Sequence, residues 1–411
     1  MTTLTELSLL LREGENSGVE FKRDDITPQD LARAMVGFSN LRGGRVLLGV
    51  EDDGRVSGLT RDDVEEWVLT VARDKVRPPL NPYVERLTDP VSGNRLLVIT
   101  VEPGYAVHAV WHHNHFSYFI RVGRQTREAS PEELARLQQQ RGTLRAELQP
   151  VTGVSYDQLD HRRLDDYFTR VRGQGIPERD DREARTTFLI ATEFMAEGVE
   201  RPVATVAGVA LFGRAPSQAL PQSKIDAVAY PGDEKDYATL ERTTLRGPLL
   251  PLMSATGEVL ELGLVDAAVA FVRRNVGASA ALVDGVRRLE TPGLPEEAVR
   301  EALVNAVIHR DYLLTNTDIE LSIYSDRLEA VSPGRLPNGV TIEGMKLGVR
   351  TARNELFKDV MRDYGYLEHM GLGIPRKIVA GMLAFNGTTP DLELGPENLT
   401  VRLWRSPDRA R

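Results

Sequence analysis

Apolar and polar positions alternate along the first third of the chain in a pattern that predicts strands and helices in turn. Residues 28–38 have helical spacing, and Thr27 and Pro28 suit the capping and first positions of a helix. A second helix is expected after Ser130, which precedes a proline and two glutamates. Short apolar runs bounded by turn residues predict four strands: Val19–Lys22, Arg45–Val50, Arg95–Val101 and Ser117–Val122.

The rest of the chain carries a second set of periodic segments. A polar helical stretch closes at Gln149–Pro150, so we expect a domain edge there. Pro251–Asn275 has the period of one long amphipathic helix. Further apolar runs predict strands at Ala207–Gly213, Lys224–Tyr230, Asp318–Tyr324 and Arg327–Val331.

Composition limits the classes of protein to which the chain can belong. The 411 residues suffice for two or three domains, and the absence of cysteine excludes disulfides and thiolate zinc sites. No apolar run approaches the roughly 18–20 residues of a membrane span, and the first residues do not have the pattern of a signal peptide. We therefore expect a soluble protein of the cytoplasm. Its net charge of −9 would repel nucleic acid, so a nucleic-acid site must be a local basic patch.

The segment 301–312, with the sequence EALVNAVIHRDY, is the most informative motif of the chain. As a helix it places Glu301, Asn305 and His309 on one face, with apolar residues on the opposite face. A carboxylate can orient or deprotonate a water, and an amide oxygen is a hard ligand suited to Mg²⁺. The alternative is an ordinary amphipathic helix with a solvated edge.

A glycine-containing loop follows in the C-terminal segment. Gly371 and Gly373 offer bare backbone amides, and Pro375 stands near the start of a predicted helix. Unpaired amides and the helix dipole both favour negative charge, so the loop is a candidate phosphate cradle. The alternative is a tight turn that requires positive φ.

Three N-terminal carboxylates form a candidate metal and catalytic group. Gly18 permits a bend that would bring Glu15 and Glu20 together, and Asp52 follows the second predicted strand. Such a group could hold divalent ions for phosphodiester hydrolysis, with Lys22 to stabilise charge. The alternative is a surface Glu15, a Glu20–Lys22 pair and a plain hairpin turn at Asp52.

Three arginines are the best candidates for a local basic patch. Arg121, Arg124 and Arg127 flank Gly123, where bare backbone would let a phosphate approach. The planar guanidinium suits phosphate recognition. The alternative is a solvated strand end that makes ordinary ion pairs.

Four blocks of the N-terminal segment, taken in order, resemble the Schlafen AlbA-2 domain: Glu15–Lys22, Ala34–Gly44, Val46–Gly54 and Tyr118–Ala129. The resemblance covers about the first third of the chain and implies a DNA-binding or transcription-regulator module. The spacing of Glu15 and Glu20 is also similar to the acidic triad of Schlafens that cut tRNA and rRNA, with Asp52 as the nearest match to the aspartate.

The 301–312 motif resembles the N-box helix of the GHKL nucleotide-binding fold, and more closely the divergent ATPase-like domain that ends many bacterial Schlafen AlbA-2 proteins. This resemblance implies an α/β sandwich and a site for ATP with Mg²⁺. The nuclease alternative would instead need Mn²⁺ or Mg²⁺ at Glu15, Glu20 and Asp52. The chain departs from the GHKL family at one point. The family contacts adenine through an aspartate, and the corresponding segment here, Ser332–Pro337, has no aspartate. The site could therefore bind another nucleotide or be structural.

Residues and resemblances together predict an α/β (α+β) protein in three segments. Residues 1–145 form a mixed-sheet nucleic-acid-binding domain, 150–290 a connecting α/β region of the C-terminal half, and 291–411 a GHKL-like domain. We expect a regulatory protein that binds DNA or RNA, with a C-terminal nucleotide site, and a homo-oligomer. The alternative is a divalent-metal-dependent nuclease that uses Glu15, Glu20 and Asp52.

Overall fold

The chain folds as two compact units, Met1–Leu144 and Arg145–Arg411, in a computed structural model. The predicted segments 150–290 and 291–411 both lie in the second unit. Within the described ranges, no helix is both long enough and apolar enough to cross a membrane. The structure describes residues 3–254, 256–276, 278–283, 287–336, 340–349, 351–367 and 372–405.

The first unit is built on a four-stranded mixed sheet. Its strand order is β1-β2-β5-β4, with β1 parallel to β2 and the other pairs antiparallel. Strands β3, β6 and β7 form a second sheet, and β8 and β9 form a separate hairpin. The elements are α1 Leu4–Glu13, β1 Val19–Lys22, α2 Pro28–Ser39, β2 Gly44–Leu48, α3 Val64–Asp74, β3 Val76–Arg77, β4 Tyr83–Thr88, β5 Arg95–Val101, β6 Ala109–His112, β7 His115–Ser117, β8 Phe119–Val122, β9 Gln125–Glu128 and α4 Pro131–Gln140.

Strands β1, β2 and β5 of the four-stranded sheet are buried on both faces, whereas β4 is not. Alternate residues of β2 point to opposite faces, so Val46 packs with α2 and α3 while Leu47 packs with α1. The two predicted helix starts are confirmed. Thr27 accepts a hydrogen bond from the Asp30 amide at the head of α2, and Ser130 forms a capping box at the head of α4.

The second unit is built on a six-stranded mixed sheet. Its order is β13-β12-β18-β19-β21-β20, with β12 parallel to β18 and the other pairs antiparallel. The helices are 3₁₀ turns at Ala146–Leu148 and Tyr156–Gln158, α5 His161–Asp165, a π-helix at Asp166–Val171, α6 Arg182–Ala191, α7 Val206–Phe212, α8 Pro216–Ala219, α9 Leu264–Val276, α10 Glu296–His309, α11 Ile342–Lys346, α12 Glu355–Asp363, a π-helix at Gly373–Ala380 and α13 Gly381–Asn386. The strands are β10 Met195–Ala196, β11 Val203–Ala204, β12 Lys224–Ala229, β13 Glu241–Arg246, β14 Leu252–Met253, β15 Val259–Glu261, β16 Ala278–Val283, β17 Arg287–Pro292, β18 Ile319–Ile323, β19 Arg327–Pro333, β20 Asp391–Leu394 and β21 Asn398–Trp404.

One large hydrophobic core and a small separate cluster of Met345, Leu392 and Leu399 hold the second unit together. Helices α9 and α10 pack on the six-stranded sheet, and buried apolar residues run from Ala146 to Leu403. The mixed sheets and their covering helices confirm the predicted α/β fold class.

Two predicted elements of this unit are wrong. Ala207–Gly213 was expected as a strand but lies almost wholly in α7, whose N-terminus is capped by the Thr205 hydroxyl. Every residue of α7 is buried, so an unbroken apolar run gave no period to separate helix from strand. The predicted helix Pro251–Asn275 begins as the β14–β15 hairpin, which turns at Gly257 with φ 84°, and becomes helical only at Leu264.

Candidate functional site

The β8–β9 hairpin packs against α2 and carries the predicted basic residues. Arg33 of α2 donates a hydrogen bond to the Thr126 carbonyl at 2.6 Å, and its guanidinium lies 5.1 Å from the Phe119 ring centroid. A Cβ on Gly37 would lie 2.7 Å from Cγ2 of Thr126, so the absence of a side chain there permits the close approach. The packing places Arg33, an exposed residue, beside the hairpin.

Arg121 differs from the prediction, because the structure buries it instead of exposing it. Its Nη1 lies 2.5 Å from Oε2 of Glu20, and its Nη2 donates to the carbonyls of Asn16 at 2.9 Å and Val19 at 3.1 Å. The arginine is 5% exposed and fastens β8 to β1. A guanidinium in this position serves the fold and is not available to a phosphate on the surface.

Arg124 and Arg127 lie on the surface, but their surroundings differ. Arg124 is exposed at the hairpin turn beside Gly123, whose φ is 59°, and the structure gives its side chain no ion pair among the described residues. Arg127 is half-exposed and makes two hydrogen bonds to Glu133, at 2.7 and 2.8 Å. This pairing lowers the pKa of Glu133 to about 2 and raises the pKa of Arg127.

Arg33, Arg124 and Arg127 are the exposed arginines at this hairpin, and we call the surface that they form the hairpin patch. The sequence did not reveal Arg33 as a member. Its position on the polar side of α2 marked it as exposed, but only the packing of the hairpin on that helix shows what it lies beside.

The predicted metal group is not assembled in the structure. Glu20 is buried and its carboxylate is paired with Arg121 and, at 2.7 Å, with Nζ of Lys22. Oε1 of Glu15 accepts a hydrogen bond from the Phe21 amide at 2.9 Å and so covers the open edge of β1. Asp52 is exposed. No group of three or more metal-ligating His, Cys, Asp or Glu side chains exists in the part of the chain that was described.

A physical reason accounts for this arrangement. Two cations beside Glu20 satisfy its charge inside the fold, so no third carboxylate or metal ion is needed to stabilise it. The Glu20–Lys22 pair is the arrangement that the alternative interpretation predicted. Catalysis by Glu15, Glu20, Lys22 and Asp52 stays a prediction, and it would require the side chains to rearrange.

In the second unit, α10 brings the predicted nucleotide-site residues together. Nδ2 of Asn305 donates to the Glu301 carbonyl at 2.7 Å and to Oε1 of Glu301 at 2.8 Å. Glu301 is 3% exposed, so the helix has no solvated edge at this position. A Cβ on Gly373 would overlap the Glu301 carboxylate, and only glycine allows the Gly373–Ala380 helix to pack so closely there. Gly371 lies outside the described residues.

A lysine that sequence analysis missed completes this group. Nζ of Lys377 lies 3.8 Å from Oε2 of Glu301, one turn along the helix that begins at Gly373. Because Asn305 turns its NH₂ toward Glu301, its Oδ1 is left as an acceptor with no hydrogen bond among the described residues. The amide oxygen suits a divalent ion, the ammonium group suits a phosphate, and the carboxylate suits a water to be activated.

The C-terminal end of α10 is capped by side chains from a later segment. Nδ2 of Asn354 donates to the carbonyls of Ile308 at 2.7 Å and Arg310 at 2.9 Å, and Nε of Arg353 donates to the His309 carbonyl at 3.1 Å. These bonds satisfy carbonyls that a helix end otherwise leaves open. Burial, and then the charge of Arg353, lower the pKa of His309 to about 4, so the imidazole is neutral at pH 7.

Comparison with known families confirms the predicted pairing of an N-terminal Schlafen AlbA-2 domain with a C-terminal ATPase-like domain. Residues 15–130 match the family model described as "Schlafen, AlbA_2", and residues 316–403 match "Putative ATP-dependent DNA helicase recG C-terminal". The second match begins after α10, so it includes Gly373 and Lys377 but not Glu301 or Asn305. Together the two domain types suggest a regulatory function related to nucleic acid.

Whole-chain comparisons add little to this division. No curated protein matches the chain. Among solved structures, the chain is similar to the DIP2311 protein from Corynebacterium diphtheriae, with a TM-score of 0.43 and 20% sequence identity. The similarity covers 94% of this chain and 75% of that one.

Proposed function

We propose that the protein is a nucleic-acid-binding regulator whose first unit contacts phosphates through the hairpin patch. The observation that carries the proposal is Arg124, an exposed arginine beside a glycine with positive φ, for which the structure gives no ion pair among the described residues. Arg33 adds a second exposed guanidinium next to the same hairpin. The Schlafen AlbA_2 match over 15–130 includes both residues.

Electrostatics limit how such a surface can act. The chain carries a net charge of −9, so long-range attraction to nucleic acid must come from a local cluster of cations. Arginines at a hairpin turn can contact phosphates without reading bases, which favours binding that depends weakly on sequence. The pair with Glu133 keeps Arg127 partly neutralised, so Arg33 and Arg124 should supply most of the affinity.

Equilibrium binding of the Arg33→Ala/Arg124→Ala double variant tests the proposal. We expect about tenfold weaker binding to labelled DNA and RNA at fixed salt, because two phosphate contacts are lost. The matched control is Arg201→Ala, an exposed arginine of the second unit with no described ion pair. Equal affinities for wild type and double variant would remove the hairpin patch from the proposal.

A second candidate function is nucleotide binding in the second unit. It is favoured by the convergence of Glu301, Asn305, Gly373 and Lys377. Asn305 would hold Mg²⁺ through its amide oxygen, and Lys377 would contact a phosphate of ATP or another nucleotide. A bound divalent ion would neutralise phosphate charge. Glu301 is also the residue placed to orient a water for hydrolysis.

Calorimetry with nucleotides tests the second candidate. Asn305→Ala should weaken Mg²⁺-dependent ATP binding by about tenfold or more, while Glu301→Gln should retain binding but lose hydrolysis. The matched control is Asn275→Ala, because Asn275 likewise donates to a glutamate, Glu241, and to a carbonyl four residues earlier in its helix. If ATP, GTP and their diphosphates give no binding heat with the wild type, the Glu301 group is structural.

A further inference from the structure

The first unit contains a small, mostly apolar pocket that the hairpin patch does not include. It has a volume of about 360 Å³ and lies between the segment before β4 and the loop after β5. Pro79, Pro82, Val101 and Pro103 supply apolar walls. Tyr105 stands at its rim and is 96% exposed. The volume is at the lower end of the roughly 300–1,000 Å³ of small-molecule sites, which suits one ring system.

One buried polar side chain opens into this pocket. Nδ1 of His108 lies 2.7 Å from the Pro78 carbonyl, which can only accept, so Nδ1 carries the proton. Burial lowers the pKa of His108, and the ring is therefore neutral at pH 7. Nε2 is then an acceptor, and the structure gives it no hydrogen bond among the described residues although His108 is only 6% exposed.

Gly104 keeps the His108 acceptor accessible. A Cβ at this position would lie 2.5 Å from Nε2 of His108 and 2.7 Å from Oγ of Ser39. Arg141 holds the loop in place, because its guanidinium donates to the carbonyls of Gly104 and Ser39. Any side chain at position 104 would cover Nε2, so the glycine leaves a polar contact point inside an apolar pocket.

The charges around the pocket decide which part of a nucleic acid it fits. Its only charged lining residue is Glu102, which would repel a phosphate and leaves the interior suited to an uncharged ring. Outside, exposed Arg42 precedes Gly43, whose backbone is packed closely against Pro103 at the rim. An exposed cation therefore lies next in sequence to a residue packed on the rim of a pocket whose charged lining residue is acidic, as the uncharged base and the charged phosphate of a nucleotide require.

We propose that this pocket takes one unpaired nucleobase, which stacks on Tyr105 and donates an N–H to Nε2 of His108, while the adjoining phosphate lies toward Arg42. The inference rests on the proposed nucleic-acid function and specifies its substrate as single-stranded. In a duplex the base edges are already paired and stacked, so a base can enter only when it is unpaired. Prolines and a tyrosine accept any flat ring, so stacking gives affinity with little sequence preference.

Binding of single-stranded and duplex oligonucleotides to the full-length protein tests the inference. Tyr105→Ala removes an exposed ring and should not affect folding. It should weaken single-stranded binding about tenfold, within the range measured for loss of one stacked base, and leave duplex binding unchanged. The matched control is Tyr237→Ala, another fully exposed tyrosine, in the second unit. Equal single-stranded affinity for wild type and Tyr105→Ala would overturn the inference.

A second measurement separates failure of the pocket from failure of the proposed function. In saturation-transfer NMR with free ligands, adenosine should receive saturation from the wild type, and the signal should be lost in Tyr105→Ala and in Gly104→Ala. Ribose 5-phosphate, which lacks a base, should give none. If oligonucleotides bind independently of Tyr105 and adenosine gives no signal, the pocket fails and the hairpin patch stands. If adenosine binds through Tyr105 but no oligonucleotide binds, the pocket stands and the nucleic-acid function fails.

Discussion

Glu20 in the first unit and Glu301 in the second are both buried carboxylates in motifs that suggest chemistry, yet their partners differ. Glu20 is paired with Arg121 at 2.5 Å and with Lys22 at 2.7 Å. Glu301 receives a neutral amide at 2.8 Å, and its cation, Lys377, lies 3.8 Å away. Two close cations make Glu20 part of the fold, whereas the contacts that the structure describes for Glu301 place a neutral amide closest and the lysine farther away.

This contrast shows what acidic motifs leave undetermined. The residue types at Glu15, Glu20 and Asp52 are those of a metal site. Nearby cations, however, determine whether a carboxylate is already paired or is available to bind a metal ion. Arg121 is separated from Glu20 by 101 positions and was expected on the surface. Removing one partner of a buried ion pair of this kind is strongly destabilising. The intact pair, however, adds little stability over a pair of apolar residues in the same place.

The largest expected effect follows from breaking the tighter of the two groups. Arg121→Met should lower the free energy of unfolding of the first unit by about 3–5 kcal/mol, because Glu20 is left buried with one cation fewer. Asn305→Ala should lower the free energy of unfolding of the second unit by about 1.5–3 kcal/mol, which is the usual contribution of a hydrogen bond to a charged group. Urea unfolding monitored by hydrogen exchange in β1 and α10 measures both.

Two further variants make that comparison decisive. Arg124→Met changes an exposed arginine in the same hairpin and should have little effect. Arg121→Met combined with Glu20→Leu should recover much of the loss, because both charges are then removed. If Arg121→Met unfolds like the wild type, Glu20 does not depend on its counter-ion and the contrast with Glu301 fails.

A smaller effect concerns pH and the helix that carries Glu301. Folding lowers the pKa of His309 from 6.5 to about 4, so the unfolded chain binds a proton more tightly than the folded one. The stability that depends on a neutral His309 is complete above pH 6.5 and is lost as the pH falls toward 4. We expect the free energy of unfolding to fall by about 1–2 kcal/mol over this window, with allowance for partial solvent access to the imidazole.

Unfolding curves of wild type and His309→Gln across that window check the pH dependence. The difference in free energy of unfolding between wild type and His309→Gln should change with pH. For His115→Gln, which changes an exposed residue, that difference should stay constant. A parallel curve for His309→Gln would mean that the imidazole titrates normally in the folded protein.

Local chemistry made much of the fold predictable. The capped starts of α2 and α4 and the strands at β1 and β5 follow from neighbouring residues, and they lie where the sequence placed them. The prediction of a strand where α7 lies was wrong because this uniformly buried segment has no apolar–polar period. The β14–β15 hairpin was missed because its turn interrupts what looked like one amphipathic repeat.

The candidate sites were predictable only where their residues share one element. Glu301 and Asn305 are four apart on α10, so the helix alone brings them together. Arg33, Arg121 and Lys377 acquire their partners through tertiary packing, which residue spacing does not encode. The pocket lined by Tyr105 and His108 likewise depends on a loop after β5 that meets the segment before β4.

The salt dependence of nucleic-acid affinity is the most direct measure of phosphate binding by the hairpin patch. Each arginine of the hairpin patch that contacts a phosphate should contribute roughly 0.7–0.9 to the slope of log affinity against log salt. Wild type should therefore show a steep slope, and Arg33→Ala/Arg124→Ala a slope smaller by roughly 1.4–1.8 for two lost contacts, with Arg201→Ala unchanged. Identical slopes for wild type and the double variant would contradict phosphate binding by this surface.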